Sequence, residues 1–356
     1  MRTPGIVSQN ITLSIDAMGG DNAPDMVVEG MDMALKDLPG TKFILFGRAP
    51  QLAPLLEKYP TLSANVDLRH TEDVVSNEEK PGVALRSGRK SSMRLAINAV
   101  GEHEADGVVS AGNTGALMAM AKFVLKTLPG IDRPAIASVL PTMNGEIVML
   151  DLGANIQCDA ENLVQFGVMG EVFARNVLHI QKPSIGILNV GTEVLKGNDS
   201  VKQAAAILKE THLPVDFYGF VEGDDIGAGT VNVIVTDGFT GNVALKTIEG
   251  TAKLFAGGLK QELMKSLFGK VGALIAKPAI DAFRERFDPR RYNGAMFLGL
   301  NGICIKSHGG TDAFGFCHAV KLAHELVTDQ LNEGIKEDYA RFSSEHHTIP
   351  LTMADE

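Results

Sequence analysis

Residues 231–242 read VNVIVTDGFTGN, a short apolar run that ends in a cluster of threonine, aspartate, glycine and asparagine. A helix-like segment follows it. Five other stretches repeat the arrangement: ITLSIDAMGGDNAP (11–24), GVVSAGNTGA (107–116), IVMLDLGAN (147–155), SIGILNVGTE (184–193) and CIKSHGGTD (304–312). The carboxyl ends of parallel strands meet at one edge of a sheet, and ligands bind in the crevice outside that edge. The repeat therefore predicts a parallel α/β sheet whose six strand ends share one pocket.

The rest of the chain continues this alternation of strands and helices, which is typical of α/β proteins. Consecutive apolar residues, as in FILF at 43–46, are typical of strands that helices cover on both faces. We therefore expect a Rossmann-like, mainly parallel, multi-stranded sheet sandwiched by helices. Strands are predicted at 11–16, 42–47, 64–70, 107–110, 135–140, 147–151, 184–189, 215–219, 231–236 and 303–307, and helices at 25–38, 90–104, 113–127, 159–179, 199–212 and 313–332.

The domain organisation is simple, because no proline- or serine-rich linker and no repeat of about 20 to 50 residues divides the chain. We expect one domain over residues 11–332, preceded by an extension at 1–10. The polar segment 333–356 has little periodicity and is expected to be mostly disordered.

The composition narrows the functional classes. The chain has 356 residues, of which 45% are hydrophobic, and a formal net charge of −10. Non-specific nucleic-acid binding needs clustered lysine and arginine, so we expect no nucleic-acid partner. The three cysteines show no pairing pattern, and neither a signal peptide nor a run of about 20 apolar residues is present. These features predict a cytoplasmic protein without disulfides.

The segment 253–291 differs from the rest of the chain. Nine basic residues stand there against four acidic ones, inside an otherwise acidic protein. Apolar residues recur at four-residue spacing, which predicts a protruding amphipathic helical hairpin. They are Phe255, Leu259, Leu263, Leu267, Val271 and Ile275.

The polar clusters at the strand ends have the composition expected of a phosphate-binding site. Glycine lets the backbone approach a ligand closely, while asparagine, threonine and helix-start N–H groups offer neutral donors. Asp237 could orient a nucleophile or hold a lysine, and Lys246 could neutralise phosphate. Each asparagine could instead cap the following helix, and Lys196 could be an ordinary surface charge. The candidate ligand-binding residues are Asp16, Gly19, Gly20, Asn22, Gly112, Asn113, Thr114, Asp151, Gly153, Asn155, Asn189, Gly191, Thr192, Lys196, Thr236, Gly238, Thr240, Gly241 and Asn242.

His308 is the only one of the nine histidines that lies in the six strand-end motifs. It could donate a proton or a hydrogen bond to a leaving thiolate or a developing oxyanion, or it could be structural. Motifs for a serine nucleophile, zinc, a dinucleotide or a P-loop are missing, so we expect no covalent intermediate, no metal and no cofactor. Strand ends rich in glycine, asparagine and threonine, with few charged groups, suit a reaction in which the enzyme only has to position two substrates.

Several of these motifs are similar to those of a known family: IDAMGGDNAP, SAGNTGAL, GIDRPAIA (130–137), LDLGAN, LNVGTE, TDGFTGNVALKTIEG (236–250) and KSHGGTD. From about Ile11 to Leu331, the chain resembles the PlsX family of bacterial phosphate acyltransferases. The resemblance implies a fold similar to isocitrate/isopropylmalate dehydrogenases and phosphotransacetylases, and a homodimer. It implies the conversion of acyl-acyl carrier protein and inorganic phosphate to acyl phosphate and free carrier, for phospholipid synthesis.

The resemblance also implies peripheral association with the inner face of the membrane, beside a membrane-embedded glycerol-3-phosphate acyltransferase that consumes the product. Leu267, Phe268, Val271 and Ile275 would contact lipid, unless this stripe packs against a dimer mate. The acidic carrier would dock on arginines near the end of the helical segment, whose apolar wall would hold the acyl chain. These arginines are Arg284, Arg286, Arg290 and Arg291.

The implied mechanism is direct attack of bound phosphate on the thioester. Phosphate would lie at 236–242 near Lys246, and the candidate catalytic residues are His308, Lys246 and Asp237. Alternatives on the same fold are a phosphotransacetylase acting on acetyl-coenzyme A and a metal-dependent hydroxyacid dehydrogenase, for which a nucleotide signature is lacking. A further alternative is a membrane-docked scaffold for lipid-synthesis enzymes without turnover.

Overall fold

An 11-stranded sheet runs through the computed structural model, which describes residues 11–210 and 215–346. The predicted extension at 1–10 and the last ten residues lie outside the described part of the chain. The strands are β1 (Thr12–Asp16), β2 (Lys42–Gly47), β3 (Val66–His70), β4 (Gly107–Ser110), β5 (Ala135–Thr142), β6 (Gly145–Leu150), β7 (Ser184–Leu188), β8 (Asp216–Val221), β9 (Val233–Val235), β10 (Ala295–Leu298) and β11 (Ile303–Lys306).

Helices surround this sheet. They are α1 (Asp25–Asp37), α2 (Ala49–Leu56), α3 (Pro60–Ser63), α4 (Pro81–Ser87), α5 (Ser92–Gly101), α6 (Thr114–Leu125), α7 (Ala160–Val177), α8 (Asp199–Glu210), α9 (Gly223–Ala228), α10 (Gly238–Met264), α11 (Leu267–Ile275), α12 (Lys277–Arg286), α13 (Ala313–Thr328) and α14 (Leu331–His346). Within the described ranges, no helix has the length and apolar character needed to cross a membrane.

The strand order is β3-β2-β1-β4-β11-β10-β5-β6-β9-β7-β8. Seven of the neighbouring pairs are parallel, which confirms the predicted mainly parallel sheet. The other three pairs are antiparallel and involve β10 or β5, and β10 was not predicted from the sequence. Because the direction reverses at β10, again at β5 and once more at β6, the strands from β6 to β8 run opposite to those from β3 to β11.

The inner strands of the sheet are buried on both faces, as their consecutive apolar residues predicted. Along β2, Phe43 and Leu45 pack into one hydrophobic core and Ile44 and Phe46 into the other. Side chains alternate across a strand, so a strand between two helical layers needs apolar residues at successive positions. Burying each of these side chains stabilises the fold by roughly 1.5–3 kcal/mol.

The segment 253–291 forms more than the predicted hairpin. Helix α10 begins at Gly238, directly after the strand-end motif, and its 27 residues make it about 40 Å long. Two short helices, α11 and α12, follow, and none of their side chains is buried. The apolar side chains of Leu267 and Phe268 are 77% and 91% exposed, which agrees with a protruding element.

The expectation of a mostly disordered segment at 333–356 is wrong as far as residue 346, because α14 covers Leu331–His346. Leu331 and Ile335 are fully buried in the same core as α7. The amide Nε2 of Gln165, on α7, donates to the hydroxyl of Tyr339 at 3.0 Å. Leu331, Ile335 and Tyr339 recur at the four-residue spacing of a helix, a signal that the polar composition of the segment obscured.

Candidate active site

The strand-end motifs form two groups. The first loop group follows β1, β4 and β11 and comprises residues 17–24, 111–113 and 307–312. The second loop group follows β6, β7 and β9 and comprises 151–159, 189–198 and 236–242. Because the two sets of strands run in opposite directions, their carboxyl ends lie at opposite edges of the sheet. The prediction that all six ends share one edge is therefore wrong, since it assumed a single strand direction.

Asp16 lies at the centre of the first loop group and is fully buried. It accepts hydrogen bonds from the hydroxyls of Ser92 and Ser110, both at 2.7 Å, and from the backbone N–H of Met18 at 3.2 Å. Burial raises the pKa of Asp16, while these hydrogen bonds and the charge of Lys306 act in the opposite direction. With these partners inside the protein, Asp16 holds the loops together and does not face a ligand.

Two glycines allow the loops of the first group to approach closely. A Cβ on Gly19 would lie 2.6 Å from both the carboxylate of Asp16 and the backbone nitrogen of Gly112. Gly20 adopts φ +106°, a backbone conformation that side chains other than glycine rarely adopt. These glycines are therefore explained by loop packing, before any ligand is considered.

The β1 loop is also tied to the β11 loop. The backbone N–H of Asp21 donates to the carbonyl oxygen of Gly309 at 2.8 Å, and the side-chain amide of Asn22 donates to that of Thr311 at 3.0 Å. Asp21 also accepts a hydrogen bond from the amide of Asn77. Asn22 therefore fastens two loops together and does not cap α1.

Asn113 caps α6, as one of its two interpretations predicted. Its side-chain oxygen accepts from the backbone N–H of Ala116 at 3.0 Å. Its amide nitrogen donates to three carbonyl oxygens of the loop that precedes α4, those of Ser76, Asn77 and Glu79. Thr114 begins the helix and is exposed. The β4 loop and the start of α4 are thereby fastened together.

Lys306 is the residue that sequence reasoning missed. It ends β11, is buried, and donates from its Nζ to the carbonyl oxygens of Ala111, at 3.3 Å, and Ser307. Burial lowers the pKa of Lys306 to about 8, and the charges of Asp16 and Asp21 only partly oppose this. The KSHGG motif suggested only its histidine as a functional residue. A lysine at the end of a buried strand is also a sign of a functional role, because burying a charged side chain is costly.

His308 lies two residues beyond Lys306 and is exposed. Its Nδ1 accepts a hydrogen bond from the backbone N–H of Gly310 at 3.1 Å. A backbone N–H can only donate, so the proton of the neutral ring is on Nε2. Partial burial and then the charges of nearby lysines lower the pKa of His308, and those lysines are Lys306, Lys246 and Lys253. His308 is thus a neutral hydrogen-bond donor near three lysines, whose effect on its pKa is partly opposed by Glu249.

In the second loop group, Asp151 is fully buried and folds its own loop. Its two carboxylate oxygens accept from the backbone N–H groups of Ile136, Gly153, Ala154 and Asn155, at 2.7–3.1 Å. The amide of Asn155 donates both to this carboxylate and to the carbonyl oxygen of Pro134. Burial raises the pKa of Asp151. Both residues therefore have structural partners.

The start of α10 is also occupied by contacts within the chain. Asp237 caps the helix, because its carboxylate accepts from the backbone N–H of Thr240 at 2.9 Å and from its hydroxyl at 2.7 Å. The N–H of Gly238 donates to Asn155, and that of Gly241 donates to Asp237. A carboxylate cap neutralises the positive end of the helix dipole. This start of α10 is consequently a poor cradle for phosphate.

Lys246 lies further along α10 and forms an ion pair with Glu249 at 2.9 Å. Its charge, with that of Lys253, acts on His308. Helix α10 therefore starts in the second loop group, and the charges it carries further along act on His308 in the first. Asn242 is exposed, and a Cβ on Gly153 would lie 3.7 Å from its Cβ. Lys246 and His308 are brought together, whereas Asp237 stays at the start of the helix.

The β7 loop closes on itself. The amide of Asn189 donates to the carbonyl oxygens of Gly191 and Lys196, at 3.0 and 3.1 Å. Lys196 forms an ion pair with Glu193 at 2.8 Å, as a surface charge would. Thr192 is exposed. These contacts favour the structural interpretation of Asn189 and Lys196.

Three of the four arginines predicted to dock a carrier are engaged within the chain. Arg290 pairs with Asp288 and Asp312, and Arg291 pairs with Glu285. Arg286 donates to the carbonyl oxygens of Thr142 and Met143. Among the described residues, only Arg284 of the four makes no hydrogen bond or ion pair. Their docking role stays a prediction.

Cys158 follows the Asp151 loop, where a thiol was not considered from the sequence. Burial raises the pKa of Cys158 to about 12, and the charges of Asp151 and Asp237 act in the same direction. Its thiol therefore stays protonated at neutral pH and is a weak nucleophile. Among residues 11–210 and 215–346, no three histidine, cysteine, aspartate or glutamate side chains are arranged to hold a metal ion.

A cavity of about 520 Å³ lies apart from the predicted ligand-binding residues. It is lined by residues 127–132 and by the start of α7, including Asp132, Asp159 and Glu161. Three carboxylates make this cavity unsuitable for phosphate, so it does not replace the loop groups as the candidate site.

Similarity to known proteins identifies the family of this chain. The family model described as "Fatty acid synthesis protein" matches residues 11–334. A protein named phosphate acyltransferase from Paramagnetospirillum magneticum is 61% identical over 335 residues, which cover 94% of this chain and 95% of the relative. The chain belongs to the phosphate acyltransferase family. The family member from Rhodospirillum rubrum is 55% identical over 348 residues, which cover 98% of this chain and 100% of the relative.

Solved structures agree with the fold expected of this phosphate acyltransferase family. A phosphotransacetylase from Streptococcus pyogenes matches with a TM-score of 0.61 at 16% identity, over 90% of this chain and 94% of that protein. A branched-chain phosphotransacylase from Enterococcus faecalis matches with a TM-score of 0.56 at 14% identity, over 89% of this chain and 99% of that protein. At such identities the likeness concerns the fold alone.

Proposed function

We propose that this acyltransferase moves a long-chain acyl group from acyl carrier protein to inorganic phosphate, giving acyl phosphate for phospholipid synthesis. Family membership supports this proposal. The observation that carries it is His308, a neutral imidazole whose proton is on Nε2 and whose neighbours include three lysines. A neutral donor near three lysines suits both a dianionic substrate and a developing oxyanion.

We place phosphate between the β11 loop and the side of α10 that carries Lys246. The charges of Lys246, Lys253 and Lys306 all lower the pKa of His308, and the charge of Glu249 on α10 only partly opposes them. Phosphate is attracted more strongly to these cations than to the backbone N–H groups at the start of α10, because the carboxylate of Asp237 already caps that helix. Asp237 contributes through α10, whose start it fixes about two turns before Lys246.

The proposed chemistry needs no acyl-enzyme. An oxygen of hydrogen phosphate forms a bond to the thioester carbonyl carbon, and the Nε2–H of His308 stabilises the oxyanion. When the intermediate collapses, the carbon–sulfur bond breaks and the carrier thiolate leaves. The proton of the bound hydrogen phosphate passes to that thiolate, so the products are acyl phosphate and carrier thiol. Neutral His308 is a hydrogen-bond donor in both steps, and its proton is not consumed.

We also propose that the protein acts as a homodimer in the cytoplasm, peripherally attached to the inner face of the membrane. The exposed apolar side chains of α11, including Leu267, Phe268, Val271 and Ile275, are the proposed lipid contact. Leu254, Phe255 and Leu259 on α10 are exposed too and form the proposed face for a second copy. At the membrane, the acyl phosphate would pass to a glycerol-3-phosphate acyltransferase.

A phosphate-dependent assay tests the proposed activity. The protein is incubated with a long-chain acyl-acyl carrier protein or with acetyl-coenzyme A, and acyl phosphate is trapped with hydroxylamine. We expect hydroxamate only from the carrier-linked chain and only with phosphate. The Lys246→Met variant should lose most of this product, because a cation near the phosphate is removed.

Other results would change the assignment. Activity with acetyl-coenzyme A alone would identify a phosphotransacetylase, which the fold also accommodates. No product from either donor, with carrier binding intact, would leave the scaffold function as the better account.

A further inference from the structure

A strongly basic surface lies on the three helices next to the first loop group. Residues 80–101 contain five basic residues and no acidic one, and residues 111–128 contain two basic residues and no acidic one. The rest of this chain is acidic enough to give a net charge of −10. We call this surface the basic face, and it consists of Lys80, Arg86, Arg89, Lys90, Arg94, Lys122 and Lys126.

The helices that carry these residues lie side by side. A Cβ on Gly115 of α6 would lie 2.7 Å from Pro81 of α4, and one on Gly101 of α5 would lie 2.7 Å from Val124 of α6. Such close approach leaves little freedom between the helices. Arg94 and Lys126 both contact the ring of Phe123, and the charge of Arg89 acts on Arg94, so the cations of these helices lie near one another.

The basic face is unpaired. Within residues 11–210 and 215–346, none of its seven cations forms an ion pair with a carboxylate. All except the half-buried Arg94 are exposed. In contrast, the basic segment 253–291 is partly neutralised by its own acidic residues, as in the pairs Lys265–Glu262 and Arg291–Glu285. Mutual repulsion among unpaired cations costs free energy that an anionic partner would recover.

An exposed aromatic ring lies within the basic face. Phe123 is 55% exposed, and its ring is contacted by the guanidinium of Arg94 at 5.0 Å and the ammonium of Lys126 at 5.2 Å, measured to the ring centroid. An aromatic ring flanked by cations is the composition of energetically important positions in protein interfaces. Phe123 offers apolar area to a folded partner that also carries negative charge.

The basic face adjoins the candidate active site. Asn113, in the first loop group, donates three hydrogen bonds to the loop at 76–79 that leads directly into Lys80 and α4. Helix α6 starts at Thr114, next to that asparagine, and ends near Lys126. A partner seated on this face would therefore deliver a flexible thioester arm to the loops that hold His308 and Lys306.

We propose that the basic face is the docking surface for the acidic carrier protein that delivers the acyl group. This inference rests on the proposed function, and it names a surface other than the four arginines expected from the sequence. An anionic membrane is the competing partner. The apolar side chains that lipid contact requires are concentrated on α11, whereas the basic face offers one aromatic ring among seven cations.

The test uses two double variants with the same change in charge, R86E/R89E on the basic face and R284E/R291E on the helical segment. With acyl-carrier as donor at low salt, R86E/R89E should raise KM about 10-fold or more while kcat changes less than about twofold. R284E/R291E should leave KM within about twofold of the wild type. The effect should shrink as salt rises, because the screening length falls from about 10 Å at 0.1 M to about 3 Å at 1 M.

Two further measurements separate docking from chemistry. An acyl-pantetheine donor, which lacks the carrier protein, should be used equally well by R86E/R89E and the wild type. Fluorescence anisotropy of a labelled holo-carrier, which needs no turnover, should show binding weakened about 10-fold by R86E/R89E and also weakened by Lys122→Glu on the neighbouring helix. Wild-type protein that binds carrier through the basic face but makes no acyl phosphate would refute the proposed function and support the docking surface.

Three results would overturn the docking proposal. Carrier binding and KM could be unchanged in R86E/R89E and in Lys122→Glu. R284E/R291E could instead cause the loss, which would return docking to the helical segment. Finally, R86E/R89E could lose binding to vesicles containing anionic phospholipid while its affinity for the carrier is unchanged, which would assign the basic face to the membrane.

Discussion

Replacing Lys306 by methionine should separate stability from activity. Lys306 is 9% exposed, and burial lowers its pKa from the ordinary 10.5 to about 8. This difference corresponds to roughly 3 kcal/mol of unfavourable free energy in the charged form at pH 7. Methionine removes that cost but also loses two hydrogen bonds from a charged donor, to Ala111 and Ser307, each worth about 1.5 kcal/mol or more. The two effects largely cancel, so the free energy of unfolding should change by less than about 2 kcal/mol.

Activity should fall although stability is nearly unchanged. The Lys306→Met variant loses a cation that contributes to the phosphate site and that lowers the pKa of His308. We expect kcat/KM for phosphate to fall at least about 10-fold, in the range of a lost electrostatic contribution to the transition state. Urea unfolding at pH 7 and the hydroxamate assay measure the two effects in the same preparation.

The pH dependence gives an independent check. The pKa of Lys306 is depressed in the folded state, so between about pH 8 and pH 10.5 the unfolded chain binds more protons than the native one. The stability cost of Lys306 is complete below pH 8 and is relieved as pH rises. Between about pH 8 and pH 10.5, the free energy of unfolding of the wild type should therefore rise by up to roughly 3 kcal/mol relative to that of the variant. A variant that is less stable by more than about 2 kcal/mol at pH 7, or fully active, would refute the reasoning.

His308→Ala should lower kcat about 10²–10³-fold, whereas His308→Gln, whose amide retains an N–H donor, should keep more activity; equal losses would argue against the donor role. Gly241→Ala should cost at least about 3 kcal/mol in urea unfolding, because a Cβ there would collide with the carbonyl oxygen of Asp151. Gly257→Ala, in open space on the same helix, should stabilise by up to about 1 kcal/mol. Ile335→Ala should cost about 2–5 kcal/mol if α14 is docked, and a negligible change would contradict its burial.

Much of the secondary structure could be predicted because its signals are local. The predicted strands at 42–47 and 107–110 have the same bounds as β2 and β4. The asparagine before α6 was recognised as a possible cap and caps its helix, whereas the capping role of the aspartate before α10 was not predicted. Strand alternation and capping depend on residues a few positions apart, so the sequence displays them directly.

Two features of the sheet could not be predicted, namely strand β10 and the directions in which the strands pair. Strand β10 consists of four residues after the long helical segment, and a run of that length carries little periodic signal. An apolar run also does not state the direction in which its strand will pair. The reversal that separates the strand-end motifs into two groups comes from the antiparallel pairing of β5 with β6, because the two antiparallel pairings of β10 cancel and leave β11 and β5 running the same way.

The sequence by itself determined the α/β class, most strand positions, the acidic balance and the motifs that resemble the phosphate acyltransferases. Only the tertiary structure decided what the charged residues in those motifs do. Asp16 is buried against Ser110, 94 positions along the chain, and Lys306 reaches the carbonyl oxygen of Ala111, 195 positions away. A carboxylate or an ammonium acquires its pKa and its partners from the groups packed around it. Because distant segments supply those groups, the chemistry of each residue is set only when the sheet is assembled.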